Sequence, residues 1–96
     1  MISELETFFG EYVDEPKITH NLDNSYTLRT NGRNHKACGD VLYLCMFYDM
    51  LRKGCSNIRV CECGKAYLDD IVSYRIRIQF QLDKERWNIS KEGILW

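Results

Sequence analysis

The sequence lacks a long apolar run. No stretch approaches the roughly 18 consecutive apolar residues of a membrane span, and residues 1–6 lack the basic start and apolar run of a signal peptide. We therefore expect a protein that neither spans a membrane nor is secreted by that route. The expected location is the cytoplasm, or the host cytoplasm if a phage encodes the chain.

The sequence also lacks a catalytic motif. It contains no glycine-rich phosphate loop, no His-Glu-x-x-His pattern and no Gly-x-Ser-x-Gly pattern. His35 and Cys38 lie three residues apart near the start of a predicted helix, but no third group is placed by spacing to orient the imidazole. We therefore predict a protein that is not an enzyme, has no catalytic residues and needs no cofactor.

No even disulfide framework is present, because the chain has five cysteines without regular spacing. Reduced thiols in a cytoplasm are the favoured interpretation. The segment Cys61-Glu62-Cys63-Gly64-Lys65 resembles half of a zinc-ribbon knuckle, although one residue instead of two separates its cysteines and no second pair follows. Packed free cysteines are favoured over a metal site. The weak candidate ligands are Cys55, Cys61, Cys63 and His35.

The chain also lacks a large excess of positive or negative charge. It has 13 Lys and Arg residues and 14 Asp and Glu residues, which leave a net charge of −1. This balance argues against a nucleic-acid binder that is held by bulk charge. With 45% hydrophobic and 28% charged residues, the 96-residue chain has the composition of a globular protein. We predict a single α+β domain over residues 1–96.

The first helix is predicted from a stripe of apolar residues with a 3.6-residue period. Ser3 and Glu6 have the spacing of a capping box, which predicts the start of this helix, and Pro16 predicts its end. The stripe consists of Leu5, Phe8, Phe9, Tyr12 and Val13.

A hairpin and a second helix are predicted next. Alternating residues indicate strands at 18–22 and 26–28, joined by a turn at 23–25. The second helix is expected from about His35 to Lys53, because nearly every position from 37 to 51 is apolar, and Gly54 suits a left-handed C-terminal cap.

The remaining chain predicts strands. Residues 57–63 have strand composition, residues 74–82 alternate strictly between apolar and polar, and residues 86–90 suggest a last short strand. The predicted order is α-β-β-α-β-β-(β). The predicted architecture is a two-layer α+β sandwich, with a four- to five-stranded, mostly antiparallel sheet and two helices on one of its faces.

Two charged surfaces follow from this arrangement. The open face of the sheet is expected to carry arginines and no acid, and the first helix is expected to carry carboxylates and no base. The predicted basic partner-binding residues are Arg29, Arg59, Arg75 and Arg77. The predicted acidic partner-binding residues are Glu4, Glu11, Asp14 and Glu15.

Small size, two-signed charge and missing catalytic groups favour a protein-binding inhibitor or modulator. Anti-defence proteins of phages or mobile elements, such as the anti-CRISPR type, and toxin-immunity proteins are the classes we expect. The expected partner is a protein such as a nuclease or a nucleic-acid-binding complex. The alternatives are a nucleic-acid-binding regulator that uses the arginine face and a small zinc-binding domain. A homodimer is also predicted, through apolar residues such as Tyr43 and Phe47 that two helices do not cover.

Overall fold

The residues that the structure describes form seven regular elements in the order α-β-β-α-β-β-α. The structure is a computed structural model that describes residues 1–30, 40–68 and 71–91, with side chains for 1–30, 43–62 and 76–91. The elements are α1 (Ile2–Phe9), β1 (Lys17–His20), β2 (Tyr26–Thr30), α2 (Asp40–Arg52), β3 (Cys55–Leu68), β4 (Ile71–Leu82) and α3 (Lys84–Lys91).

The four strands form one antiparallel sheet in the order β1-β2-β4-β3. The helices share one face of it, because side chains of all three join sheet residues in a single core cluster. This confirms the predicted α+β architecture with a mostly antiparallel sheet. The largest fully buried side chains are Phe9, Phe80, Leu5, Leu28, Met46, Met50, Ile78 and Val13.

The first helix begins and ends differently from the prediction. Met1 is its N-cap and no side chain caps it, so the predicted capping box of Ser3 and Glu6 is wrong. The Ser3 carbonyl instead accepts a hydrogen bond from the Thr7 hydroxyl at 3.0 Å, inside the helix. The regular helix ends at Phe9, and turns carry the chain onward to Glu15. Burial of the apolar stripe persists through these turns, where Val13 is 1% exposed.

The hairpin forms as predicted, but its alternation stops at His20. A turn from Asn21 to Ser25 follows, in which the Asp23 carboxylate accepts hydrogen bonds from the Ser25 backbone N–H at 3.0 Å and the Ser25 hydroxyl at 2.6 Å. Leu22 therefore lies outside the strand and is fully exposed. The turn is set by its side-chain hydrogen bonds rather than by the apolar pattern.

The predicted last strand at residues 86–90 is wrong, because this segment is helix α3. The Asp83 carboxylate accepts a hydrogen bond from the Arg86 backbone N–H at 3.2 Å, which is the bonding of a helix N-cap. Glu85 in the first turn and Lys91 in the last turn also match the helix dipole. Within the described part of the chain the sheet therefore has four strands.

Gly54 ends the second helix with a φ of 102°, which confirms its predicted left-handed conformation. The helix is described from Asp40, so its predicted start near His35 lies outside the described residues. A Cβ atom at Gly54 would lie 3.0 Å from the Asp83 carbonyl oxygen and 3.1 Å from Arg86 Cβ. The missing side chain thus allows α2, β3 and the start of α3 to meet.

We expect Gly54→Ala to destabilise the fold by about 1–3 kcal/mol, because the left-handed backbone and the close approach both disfavour a side chain. Urea denaturation followed by circular dichroism measures the change. Gly10→Ala is the matched control, since a Cβ atom there would also lie close to backbone, 3.1 Å from the Glu6 carbonyl oxygen, but the φ of Gly10 is a right-handed helical −62°. Equal stabilities of the two variants would contradict the requirement at Gly54.

Candidate functional site

The sheet face opposite the helices is polar and exposed. Leu28 and Ile78 point into the core, whereas their neighbours Arg29 and Arg77 are exposed, as the alternation predicts. Arg59 is also exposed and lies opposite Gln79 in the register. The face is therefore a surface on which cationic side chains stand at fixed strand positions.

Three bases lie side by side across this face. Lys17 of β1 is directly opposite Arg29 of β2, and Arg29 is directly opposite Arg77 of β4. Neighbouring strands are roughly 4.8 Å apart, and like charges in directly opposed positions destabilise a sheet. We call Lys17, Arg29 and Arg77 the cationic row. None of them forms an ion pair with another residue that the structure describes.

An acid stands at one end of the cationic row, which the sequence did not predict. Glu62 of β3 is directly opposite Arg77. The register of β3 shifts between Ser56 and Arg59 and again between Val60 and Glu62, so each shift adds one residue to β3. These bulges bring Glu62 to the same face as Arg59. The expectation of an acid-free face is therefore wrong.

Amide side chains on this face bond within the sheet. Gln79 donates to the Ser25 hydroxyl at 3.1 Å, and Asn57 donates to the Gln81 side-chain oxygen at 2.6 Å. Arg75, which was also predicted for this face, is opposite Gly64 in the register, and its side chain lies outside the described residues. The amide groups are therefore engaged within the sheet, whereas the cationic groups remain accessible to a binding partner.

One residue of the predicted acidic surface, Glu4, forms contacts within the chain. The Glu4 carboxylate accepts hydrogen bonds from Lys91 Nζ at 2.8 Å and from the Trp87 indole N–H at 2.9 Å. The bond from Lys91, followed by that from Trp87, lowers the pKa of Glu4. Glu4 therefore joins α1 to α3. Glu11 and Glu15 are exposed and Asp14 is half-buried.

The weak metal candidates do not come together where the structure describes them. Cys55 is buried, which raises the pKa of its thiol to about 12 and disfavours the thiolate that binds metal. Cys61 is exposed and six residues further along β3, roughly 20 Å at strand spacing. The Cys63 side chain and His35 lie outside the described residues.

No potential metal cluster of three or more His, Cys, Asp or Glu residues occurs in the described ranges. None of the helices within those ranges has the length and apolar character that a bilayer crossing requires.

Comparison with protein-family models finds no match. Comparisons with curated proteins and with solved structures find no significant relative. The candidate function therefore depends on the geometry of this chain.

We expect Arg29→Gln to stabilise the fold by about 0.2–1 kcal/mol, because it removes the middle charge of the cationic row. Urea denaturation at low salt measures the gain, and added salt should shrink it by screening the repulsion. Lys84→Gln removes an exposed charge at the start of α3 and serves as the control, with an expected change within about 0.5 kcal/mol. Destabilisation by Arg29→Gln alone would show that the row is not repulsive.

Acid is expected to loosen the contact between α1 and α3. Because the folded-state pKa of Glu4 is lowered, the contact contributes fully above the ordinary glutamate pKa of about 4.3. Its contribution is lost as pH falls through the lowered folded-state pKa. The Trp87 indole N–H resonance should report this titration by NMR.

In Glu4→Gln the acid-induced shift of the Trp87 signal should disappear, because no carboxylate remains to be protonated. In the control Glu85→Gln, which changes an exposed acid in the first turn of α3, the midpoint should not move. A wild-type midpoint at or above the ordinary glutamate pKa would contradict the assignment.

Proposed function

We propose that the chain is a small non-catalytic inhibitor or modulator of another protein, and that the cationic row docks against an acidic surface of that partner. The supporting observation is the direct register of three exposed bases, Lys17, Arg29 and Arg77. This placement is unfavourable for the isolated sheet. Carboxylates of a bound partner would remove the repulsion and form charge-assisted hydrogen bonds with the arginines.

A protein partner suits this face better than nucleic acid does. RNA-binding sheets place aromatic rings on the exposed face to stack bases, whereas Tyr26 and Phe80 are 2% and 1% exposed and belong to the core. Glu62 at the end of the row and the net charge of −1 would both oppose a polyphosphate. Arginine is also enriched in protein interfaces relative to the rest of the surface.

The rigid, charged sheet face that the chain offers a partner supports the inhibitor class. A sheet held by a single core presents its side chains at fixed spacing, and charge complementarity to a target gives fast and selective association. Small anti-defence proteins of the anti-CRISPR type and toxin-immunity proteins work by such docking, and we place the proposed function among them. The cationic row is preferred over the acidic residues as the docking surface because Glu4, although exposed, is already paired with Lys91 and Trp87 of the same chain.

The decisive variant is Arg29→Glu. It reverses the middle charge of the row while creating favourable pairs with Lys17 and Arg77, so the fold should be retained. Complex formation with the protein partner should weaken by about tenfold or more, which corresponds to about 1.4 kcal/mol. Lys84→Glu is the control, because it makes the same charge change at a helix start where an acid is favoured.

Zero-length carbodiimide cross-linking identifies the chemistry of the contact, because it joins amines only to carboxylates. Mass spectrometry should find Lys17 joined to Asp or Glu residues of the partner in wild type and in Lys84→Glu. The link should be lost in Arg29→Glu. Retention of the complex in Arg29→Glu would refute docking through the row.

The nucleic-acid alternative gives a different result. Binding of a duplex or single-stranded oligonucleotide that falls steeply with salt and disappears in Arg29→Glu would replace the proposed protein partner by nucleic acid. Fluorescence anisotropy with labelled oligonucleotides, measured at several salt concentrations, makes this comparison.

A further inference from the structure

A groove of about 750 Å³ lies among the three helices, in the layer opposite the cationic row. Its volume is within the range of small-molecule sites. One side of α1 and the turn after it form one wall, the C-terminal end of α2 forms the base, and α3 forms the other wall. We call it the interhelical groove; its lining includes Phe8, Tyr12, Asp49, Lys53, Trp87 and Lys91.

Aromatic rings form the apolar part of the interhelical groove. The Phe8 ring makes edge contacts with the rings of Tyr12 and Trp87, at 5.7 Å between centroids in both cases. Phe8 and Tyr12 are only half-buried, so part of each ring faces the groove, whereas Trp87, which also lines the groove, is 3% exposed. A flat apolar group can therefore pack on Phe8 and Tyr12.

Two of the acids that line the groove already have partners. Asp49 accepts a hydrogen bond from the Tyr12 hydroxyl and pairs with Arg52 at 3.6 Å. Glu4 pairs with Lys91 and also accepts the indole N–H of Trp87. The third acid, Glu11, is exposed.

Lys53 is the base in this groove that lacks an acidic partner among the described residues. Its ammonium lies 5.8 Å from the centroid of the Phe8 ring and 5.6 Å from that of the Trp87 ring. The side chain is half-buried, and the rings compensate the charge in part. A half-buried ammonium with no carboxylate has hydrogen-bond donors available for an anion, next to a surface that accepts an aromatic ring.

We propose that the interhelical groove binds a carboxylate that carries an aromatic or flat apolar group. The apolar group packs on Phe8 and Tyr12, and the carboxylate contacts the ammonium of Lys53. The hydroxyls of Thr7 and Ser90 donate to backbone carbonyls of their own helices. The other two cations of the lining, Arg52 and Lys91, pair with Asp49 and Glu4, so the Lys53 ammonium is the charged anchoring donor. The ligand is either a free small molecule or the C-terminal residue of another chain.

The test uses 3-phenylpropionate as the small-molecule probe and its uncharged amide as the matched probe. Binding is followed through the Trp87 indole N–H resonance, which is separated from that of Trp96 by a Trp96→Phe variant. The acid should bind at least about tenfold more tightly than the amide. A tripeptide that ends in phenylalanine, with a free or an amidated C-terminus, distinguishes the two ligand sources.

Lys53→Met keeps a long apolar side chain over the rings but removes the charge. It should lower the affinity for the acid by about tenfold or more and leave that for the amide unchanged. Lys84→Met, outside the groove, should bind both probes as wild type does. Equal binding of acid and amide, undiminished acid binding in Lys53→Met, or no shift with either acid up to about 10 mM would overturn the proposal. Lys53→Met leaves the cationic row intact, so this result is independent of the proposed protein partner.

Discussion

The structure depends on burial of alternate residues of β4. Ile76, Ile78 and Phe80 are each at most 2% exposed, and the Phe80 ring contacts both Phe9 of α1 and Tyr26 of β2. Burying such side chains stabilises a domain by about 1.5–3 kcal/mol each, so the strand cannot slip by one residue without exposing the whole set. Because β4 is a central strand, its register also determines which side chains of β2 stand on each face. The outward direction of Arg29 and Arg77 is thus a consequence of core packing.

The two faces of the sheet have different energetics as a result. The core side gains from apolar burial and aromatic contacts, whereas the cationic row on the open side places like charges in direct opposition. The row's repulsion is small beside the burial of β4, so the fold tolerates it. An arrangement that is unfavourable alone and would be favourable with an anionic partner is the physical reason for proposing this face as a binding surface. The same reasoning separates it from Glu4, whose hydrogen bonds are satisfied inside the molecule.

Periodicity predicted the parts of the fold that a repeating apolar set controls. The stripe of the first helix, the alternation of β4 and the left-handed glycine at position 54 could all be found from the sequence, because each is a local pattern with a strong energetic consequence. Helix α3 was missed because Trp87 is its one buried residue, and a single apolar position has no period. Asp83 as N-cap, with Glu85 early and Lys91 late in the helix, was the signal that could have identified it.

The candidate sites were harder to predict because they depend on register rather than on period. Glu62 reaches the open face only through bulges in β3, where Asn57 adopts a φ of 49°. Ser56, Arg59 and Glu62 are spaced by three residues instead of two, which is a readable but weak sign of extra residues in a strand. The interhelical groove is harder still, since Phe8 of α1, Lys53 in the turn after α2 and Trp87 of α3 come from three separate parts of the chain. Once helix α3 was interpreted as a strand, the contacts that set Lys53 over two rings could not be anticipated. Both candidate sites therefore depend on local features, the bulges of β3 and the start of α3, that a periodic apolar pattern does not reveal.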